Sequence, residues 1–311
     1  MPTPPHLTDD RLDAIKTRLR LPAICAPMFL VTGPDMVISA CKSGVLGTFP
    51  ATNARTVDQL IAWLDEITSA VGASDAPWAL NMITHNSYGR FDAELELVKR
   101  YRPELVITAL GGPHRVTDVV HEYGGLVFAD VNSPKFARKA IDKGADGLVL
   151  ICAGAGGHTG EYAMIPFVEE VRTFFDGPII VGGGIGTGRG IKAVEALGVD
   201  FAYLGTRFLA CKESLINDAY RQMVWDSQME DLIASRAITG ALGNWMKASV
   251  EAAGLSNEAM QAVAKIDFSD DMHAGTKAWK HVWSAGQGVG LINTPETVSD
   301  VVETLIQQYN S

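Results

Sequence analysis

The sequence is short of positive charge and contains no basic segment. Its 311 residues include 26 Lys and Arg against 36 Asp and Glu, so the formal net charge is −10. Proteins that bind nucleic acid or an anionic membrane surface usually carry a cluster of basic residues. We therefore expect the partner of this chain to be a small molecule, and neither nucleic acid nor a membrane.

Cysteine is also scarce, and the motifs of several classes of site are missing. The four cysteines, Cys25, Cys41, Cys152 and Cys211, have no CxxC spacing, which is typical of reduced thiols in the cytosol. Because there is no HExxH motif, His/Cys cluster or GxSxG elbow, neither a metal site nor an α/β-hydrolase site is predicted. Without an apolar signal core or a membrane-length apolar run, the chain is expected to be cytoplasmic.

Short apolar runs recur along the chain up to residue 205. Most of them are continuous rather than alternating, as expected when both faces of a parallel strand are covered. The predicted strands are Ala23–Pro27, Gly44–Phe49, Trp78–Met82, Leu105–Leu110, Leu126–Val131, Gly147–Ala153, Pro178–Gly184 and Phe201–Gly205.

Amphipathic segments between these runs predict helices. In Val57–Val71, apolar residues such as Leu60 and Leu64 recur at the spacing of one helix face. Strands that alternate with helices predict parallel pairing and right-handed crossovers. The predicted fold is therefore α/β, a (β/α)₈ TIM barrel, with an open doubly wound sheet as the alternative. The other predicted helices are Asp35–Ser43, Asp92–Tyr101, Arg115–Tyr123, Pro134–Lys143, Ile165–Phe175 and Arg189–Leu197.

This alternation ends after the eighth predicted strand. Glu213–Met272 is rich in Ala, Met, Trp and charged residues and is predicted to be wholly helical, with helices at Asn217–Met229 and Asn257–Lys265. A glycine-rich loop, Ser284–Asn293, and an amphipathic helix, Pro295–Gln308, follow it.

These changes predict two structural units. Residues 1–212 and 284–311 are expected to form the barrel. Residues 213–283 are expected to form a helical insertion near the C-terminus that covers the barrel as a substrate lid.

Two glycine-rich segments follow the last two predicted strands. The active site of a TIM barrel lies at the C-terminal ends of its strands, often with a phosphate site after strands seven and eight. Gly182–Gly188 and Gly205–Arg207 stand at these places. Glycine lets an anion approach backbone N–H groups, and helix starts near Arg189 and after Thr206 add positive dipole ends. We interpret the loops as a phosphate cradle; the alternative is that they only make tight turns.

One histidine stands among small residues after the sixth predicted strand. Residues 154–160 read GAGGHTG, so the residues before His158 leave room for a flat ligand. An imidazole beside that space could remove or deliver a proton near neutral pH. We predict His158 as the catalytic residue, with a structural role as the alternative. His85 and His114 are expected to be polar residues of the barrel mouth, with His85 as the reserve candidate.

Two further polar residues lie within predicted strands. Asp130 could accept hydrogen bonds from a ligand or pair with a basic residue. Asn81 could bond the edge of a heterocycle or satisfy strand ends. Core packing is favoured over a role in a substrate wall for Met28, Trp245, Met246 and Trp283.

The order of several motifs resembles the nitronate monooxygenase family, also called 2-nitropropane dioxygenases. The matching segments are PAICAPM, GAGGHTG, GGGIGTGRG, YLGTRF and AGQGVGLI, which occur in the family's order across nearly the whole chain. Related FMN-binding barrels include enoyl-acyl-carrier-protein reductases and NADH:quinone reductases. The resemblance implies a TIM barrel with FMN as its cofactor. The sequence departs from the pattern at Ile151 and Gly154, where many members have Gln and Glu, and at Asp130, where some relatives have Lys.

The resemblance also implies roles for individual residues. Pro27 and Met28 would line the flavin ring, and Asn81 would bond its edge. His158 matches the catalytic histidine of the family, and Gln287 matches the glutamine of its AGQ motif. Gly183, Gly184, Gly205 and Thr206 would hold the phosphate. The complete predicted cofactor-binding set is Ala26, Pro27, Met28, Asn81, Asp130, Ala155, Gly156, Gly157, Gly182, Gly183, Gly184, Gly205, Thr206 and Gln287.

The implied activity is the oxidation of alkyl nitronates or nitroalkanes with O₂ to a carbonyl compound and nitrite. His158 would act as the general base and FMN would accept the electrons. One alternative is an NAD(P)H-dependent FMN reductase acting on an enoyl thioester or a quinone. Another is a flavin-free isomerase or lyase whose glycine cradle holds a substrate phosphate, and a non-catalytic binding protein is least favoured. A homodimer is the default expectation for the assembly.

Overall fold

The computed structural model describes residues 5–256, 258–263 and 282–311. Eight parallel strands close into a barrel, and β7 (Gly157–His158) belongs to a second, smaller sheet. The last barrel strand pairs with the first, which confirms the predicted TIM barrel and excludes the open sheet. The barrel strands are β1 (Ala23–Cys25), β2 (Leu46–Pro50), β3 (Trp78–Ile83), β4 (Leu105–Ala109), β5 (Leu126–Val131), β6 (Gly147–Ile151), β8 (Ile179–Gly182) and β9 (Phe201–Leu204).

Helices cover the outside of the barrel. Each helix predicted between two strands is present, with its ends shifted by a few residues. The helices are α1 (Pro5–Lys16), α2 (Pro34–Ser43), α3 (Val57–Ala70), α4 (Phe91–Tyr101), α5 (Thr117–Glu122), α6 (Pro134–Asp142), α7 (Met164–Arg172), α8 (Gly188–Glu195), α9 (Thr206–Leu209), α10 (Asp218–Asp226), α11 (Lys247–Ala252) and α12 (Val298–Asn310).

Local sequence explains where several of these helices begin. The side chain of Thr56 accepts a hydrogen bond from the backbone N–H of Gln59 at the start of α3, and a hydroxyl is a favoured N-cap. Ser133 caps α6 in the same way, and Pro134 follows at the first helical position, where its missing N–H costs nothing. These caps satisfy backbone N–H groups at the residue where each helix begins.

The barrel interior is a packed apolar core, not a channel. Alternate residues of each strand face inward, so Phe128 of β5 and Phe201 of β9 lie in one buried cluster. Leu12 and Ile15 of α1 belong to the same cluster, so this helix packs against the interior core. The sequence reasoning assigned no structure to this N-terminal segment.

The prediction that residues 213–272 are wholly helical is wrong. The segment contains β10 (Leu232–Ser235) and β11 (Gly243–Met246), which pair antiparallel. Its Ala, Met and charged residues favour a helix locally, but pairing with a neighbouring strand overrides such a propensity. Residues 264–272 lie outside the described residues.

Pairing between β11 and β7 connects this segment to the loop after β6. Gly243 lies opposite His158, and Asn244 lies opposite Gly157. The described part of the predicted helix Asn257–Lys265 contains a single 3-10 turn at Ala259–Gln261, while residues 257, 264 and 265 lie outside the described residues. The division into a barrel and a lid stays a prediction.

Two structural findings concern the predicted absences. Within residues 5–256, 258–263 and 282–311, no helix is both long and apolar enough to cross a bilayer. The same residues contain no group of three or more His, Cys, Asp or Glu side chains that could hold a metal ion.

Candidate active site

A cavity of about 1500 Å³ opens at the C-terminal ends of the barrel strands, where TIM-barrel active sites lie. A second cavity of about 790 Å³, between α2 and α12, contains none of the predicted site residues. The large cavity brings together residues that are far apart in the sequence. The predicted residues that line it are Ala26, Pro27, Met28, Asn81, Asp130, Ala155, Gly156, Gly157, His158, Gly182, Gly183, Gly184, Gly205 and Thr206.

The turn after β8 has the properties of an anion cradle. Gly183 and Gly184 have φ angles of 142° and 70°, which residues with a side chain rarely adopt. In the described part of the chain, no backbone acceptor is paired with the N–H groups of these two glycines. A Cβ placed on Gly184 would meet no atom within 4 Å. The turn therefore offers unpaired donors and open space, and both suit a phosphate group.

The two helix starts near this turn contribute less than the sequence indicated. The first N–H of α8, from Gly188, donates to Oε1 of Gln308 at 3.0 Å, and that of Gly190 donates to Oγ1 of Thr187. Arg189 is not among the residues that line the cavity. α9 has only one turn, so its dipole is small. The cradle therefore depends on the glycine turn itself.

The late AGQ segment packs behind the loop after β6. The N–H of Gln287 donates to the carbonyl oxygen of Gly154 at 2.9 Å. A Cβ on Gly286 would lie 2.7 Å from that same oxygen, so only glycine allows this backbone contact. Oγ1 of Thr206 accepts from the N–H of Gly286 at 2.8 Å. Gln287 is not among the described cavity-lining residues, and its role at the cofactor stays a prediction.

His158 is held at the cavity by contacts from the segment after α9. Nε2 of His158 lies 3.0 Å from Oγ1 of Thr239. The side-chain amide of Asn244 donates to the carbonyl oxygen of Ala155 at 2.7 Å, which fixes the loop that leads into β7. The ring is reached from the cavity. Nevertheless, the surrounding protein removes it from bulk water and lowers the pKa of His158 below its ordinary value of 6.5. The imidazole is therefore neutral at pH 7 and able to accept a proton.

Three polar side chains form the floor of the cavity. Asn81, Asp130 and Tyr203 all line it, and each stands at the next inward position beyond an apolar core residue of its strand. Nδ2 of Asn81 lies 3.4 Å from Oδ2 of Asp130 and 3.2 Å from the carbonyl oxygen of Ile107. No described residue pairs with Oδ1 of Asp130 or the hydroxyl of Tyr203, although both atoms are buried.

Burial also controls the charge of this floor. It raises the pKa of Asp130 to about 7, and the hydrogen bond from Asn81 only partly opposes this rise. Burial, followed by the nearby Asp130 carboxyl, raises the pKa of Tyr203 above its ordinary value of 10.0. Among the described residues, no ion pair includes Asp130, so its predicted pairing with a basic residue is not seen there. Orphaned polar atoms at the base of a cavity are satisfied when a polar ligand binds there.

Sequence reasoning missed three residues of this site. Tyr203 could have been found, because it lies two residues after Phe201 and must face the same way. Thr239 and Asn244 carried no signal, since their contacts depend on the pairing of β7 with β11. Trp245 and Met246 are fully buried, which confirms core packing for both, whereas Trp283 lines the cavity.

Comparison with known proteins decides the family. A sequence model of nitronate monooxygenases matches residues 80–308. The chain belongs to the nitronate monooxygenase family. This confirms the predicted family and supports the predicted class of flavin-dependent oxidoreductase. The match begins within β3 and includes the turn after β8, His158 and α9.

Relatives within and around the nitronate monooxygenase family are between 22% and 30% identical over the aligned residues. A nitronate monooxygenase of Paraburkholderia phytofirmans is 28% identical over 279 residues, which cover 75% of each chain. A protein of Rhodococcus jostii, named (3aS,4S,5R,7aS)-5-hydroxy-7a-methyl-1-oxo-octahydro-1H-indene-4-carboxyl-CoA dehydrogenase, is 28% identical over 221 residues, or 70% of this chain. The chain spans 60% of the length of that dehydrogenase and 61% of its counterpart in Mycobacterium tuberculosis.

Solved structures show the same fold. Nitroalkane oxidase from Streptomyces ansochromogenes superimposes with a TM-score of 0.80 at 22% identity, covering 96% of this chain and 98% of that one. FabK from Thermotoga maritima gives a TM-score of 0.79 at 22% identity, covering 97% and 96%. At this identity the likeness establishes the TIM-barrel fold as a shared architecture, and nothing about substrate.

Proposed function

We propose that the chain oxidises alkyl nitronates, and nitroalkanes after removal of their α-proton, with O₂ and FMN to a carbonyl compound and nitrite. The observation that carries this proposal is one cavity lined by both His158 and the open glycine turn Gly183–Gly184. A proton acceptor and an anion cradle at one barrel mouth are what a phosphate-bearing cofactor with proton chemistry requires. Membership of the nitronate monooxygenase family supports the same proposed activity.

FMN suits the groups that the cavity presents. Gly183, Gly184, Gly205 and Thr206 would hold the phosphate through backbone and hydroxyl donors. Pro27, Met28 and Asn81 would contact the ring system, and the unpaired atoms of Asp130 and Tyr203 offer further polar contacts. When bound, FMN would supply the electron-transfer and oxygen chemistry that side chains cannot.

The chain itself would supply position and proton transfer. Because burial keeps the pKa of His158 low, the ring is neutral at pH 7 and can take the α-proton of a nitroalkane. Thr239 would hold the ring in place, and the buried floor would keep water from the opposite side of the ligand. A substrate that arrives as the nitronate anion has already lost this proton and needs only binding.

Oxygen uptake by the FMN-loaded protein tests the proposal. His158→Asn is expected to lower turnover of neutral nitroalkane by about a hundredfold or more and to leave turnover of preformed nitronate within a few-fold. His85→Asn tests the reserve candidate, since His85 also lines the cavity, and under this proposal it should leave both rates unchanged. Wild-type protein that binds FMN but consumes no O₂ with either substrate would rule out the proposed activity.

The second candidate is an NAD(P)H-dependent FMN reductase. The cavity of about 1500 Å³ exceeds the roughly 300–1000 Å³ of most single-ligand pockets, which leaves room for a larger co-substrate. The dehydrogenase name of the Rhodococcus jostii relative also favours this class. NADH oxidation without O₂, in the presence of a quinone or an enoyl thioester, would distinguish it from nitronate oxidation. The predicted cytoplasmic location and homodimer stay predictions.

A further inference from the structure

The rim of the large cavity carries a charge opposite to that of the chain. The net charge of the protein is −10, yet Lys139 and Lys143 both line the cavity. Of the described residues that line it, Asp130 is the only one with a carboxyl group, and it lies on the buried floor. Cations grouped in a cleft raise the local concentration of anions.

The two lysines have no acidic partner among the described residues. The ion pairs of the described chain do not include Lys139 or Lys143. Both side chains belong to exposed residues of the α6 region, and Nζ of Lys139 lies 5.7 Å from the ring centre of Phe136. Lysines without partners at a cavity rim remain available to a ligand.

His114 lies beside Lys143 at the same rim, as a neutral hydrogen-bonding group. A Cβ placed on Gly112 would lie 2.7 Å from Nδ1 of His114 and 2.9 Å from Cδ of Lys143, so the two side chains converge over that glycine. Burial, then Lys143 and then Arg115, lower the pKa of His114. Arg115 itself is held by the carbonyl oxygens of Thr84 and His85. The loop after β4 and the end of α6 thus form one basic rim, defined as Lys139 and Lys143 with the neutral His114.

Apolar surface adjoins the basic rim inside the same cavity. Phe136 is 50% exposed and Leu110 is 36% exposed, and both line the cavity. Leu110 has a φ angle of 54°, a conformation that residues with a side chain hold only under structural constraint. Large apolar side chains that stay accessible next to unpaired cations suit an amphipathic ligand.

We propose that the basic rim binds the phosphate-bearing tail of an extended ligand, whose apolar body lies along Leu110 and Phe136. This site is separate from the glycine turn after β8, which accounts for the cofactor phosphate. The inference deepens the proposed function, on which it rests, because it gives the substrate or reductant an anionic tail. Lysine binds phosphate as a point charge, so the contribution of the rim must weaken as salt rises.

Calorimetric titration of the FMN-loaded, full-length protein tests this site. Octanoyl-coenzyme A represents a tailed substrate and NADPH represents a tailed reductant. Whichever of the two probes binds to the wild-type protein is expected to bind about fivefold more weakly to the variant Lys139→Gln/Lys143→Gln at low salt. The affinity of this variant should also depend less on salt concentration. The probe that shows this charge dependence identifies which of the two sources carries the tail.

The matched control is Lys135→Gln/Lys192→Gln, which removes the same charge from residues that do not line the cavity. It should bind both probes as wild type does. Equal weakening in both double variants would mean a general charge effect and would overturn the proposal. The proposal would also be overturned if neither probe bound to the wild-type protein, or if the Lys139→Gln/Lys143→Gln variant lost affinity for FMN.

Phe136→Ala tests the apolar part of the site. The substitution should lower the affinity for octanoyl-coenzyme A more than the affinity for coenzyme A, because only octanoyl-coenzyme A has an apolar chain. The site and the proposed function fail separately. Charge-dependent probe binding without nitronate turnover would keep the site and remove the function, whereas nitronate turnover without probe binding would do the reverse.

Discussion

Oγ1 of Thr239 lies 3.0 Å from Nε2 of His158, although 81 residues separate them in the chain. The same hydroxyl lies 3.3 Å from the carbonyl oxygen of Ala241, to which it can donate its single hydrogen. In that arrangement Nε2–H donates to Thr239, so the ring is oriented by a residue outside the barrel. Thr239 is therefore a positioning residue for the proposed base.

Replacing Thr239 by Val should slow proton transfer without leaving a cavity where the threonine side chain was. Val keeps the shape but removes the oxygen, so kcat for neutral nitroalkane should fall by about three- to tenfold. Because the lost hydrogen bond favours the protonated ring, the pKa of His158 should drop further. The acid limb of the kcat/KM profile, already expected below pH 6.5 in wild type, should move to lower pH.

Thr239→Ser provides the control for this variant. Serine keeps the hydroxyl, so both the rate and the pH profile should stay close to those of wild type. If Val and Ser variants have the same profile, Thr239 has no role in positioning His158.

Asp130→Asn should change how stability depends on pH. In the folded protein the pKa of Asp130 is raised from 3.8 to about 7, so the native state favours the protonated carboxyl. Wild type therefore loses stability as pH rises from about 4 to 7, by up to about 4 kcal/mol from this residue. Asn cannot ionise, so the variant should gain stability relative to wild type between pH 5 and pH 8. Urea unfolding of the FMN-free protein at pH 5 and at pH 8 measures the free energy of unfolding of wild type and variant.

A second buried carboxyl, that of Glu94, also makes the stability of the protein depend on pH. Burial also raises the pKa of Glu94 to about 7, so wild type and variant share its contribution. The measure is the difference between their two pH dependences, and not the slope of either one. Asp142→Asn, at an exposed residue, is the control and should follow wild type. An Asp130→Asn variant that also follows wild type would show that the Asp130 carboxyl is not held neutral.

Gly184→Ala separates cofactor binding from backbone strain. Gly184 and Gly198 have φ angles of 70° and 76°, and a Cβ at either would meet nothing within 4 Å. Alanine should therefore cost each site about 1 kcal/mol of stability. Only Gly184→Ala places a methyl group beside the proposed phosphate, so only this variant should lose FMN affinity, by about tenfold or more. Thermal unfolding and quenching of FMN fluorescence measure the two effects. A similar loss of FMN affinity in Gly198→Ala would argue against the cradle.

The barrel could be predicted because its signals are local. Leu126–Val131 was predicted with the ends that the structure shows, since a buried parallel strand must be apolar along its whole length. The glycine turn was predicted from residue type and from its place after a strand. The same local reasoning assigned a helix to Leu232–Ser235 and Gly243–Met246. Short strands in an Ala- and Met-rich segment carry no pattern that separates them from a helix.

The amino-acid sequence by itself determined the alternation of strands and helices, the family, and the positions of His158 and the glycine turns at strand ends. Only the tertiary structure decided that Thr239 contacts His158, that no described basic residue pairs with Asp130, and that Lys139 and Lys143 face the cavity. Apolar periodicity records which residues are buried, because burial stabilises each element along its own length. It does not record which distant segments meet at the mouth of the barrel, since those contacts depend on how the closed sheet brings its loops together.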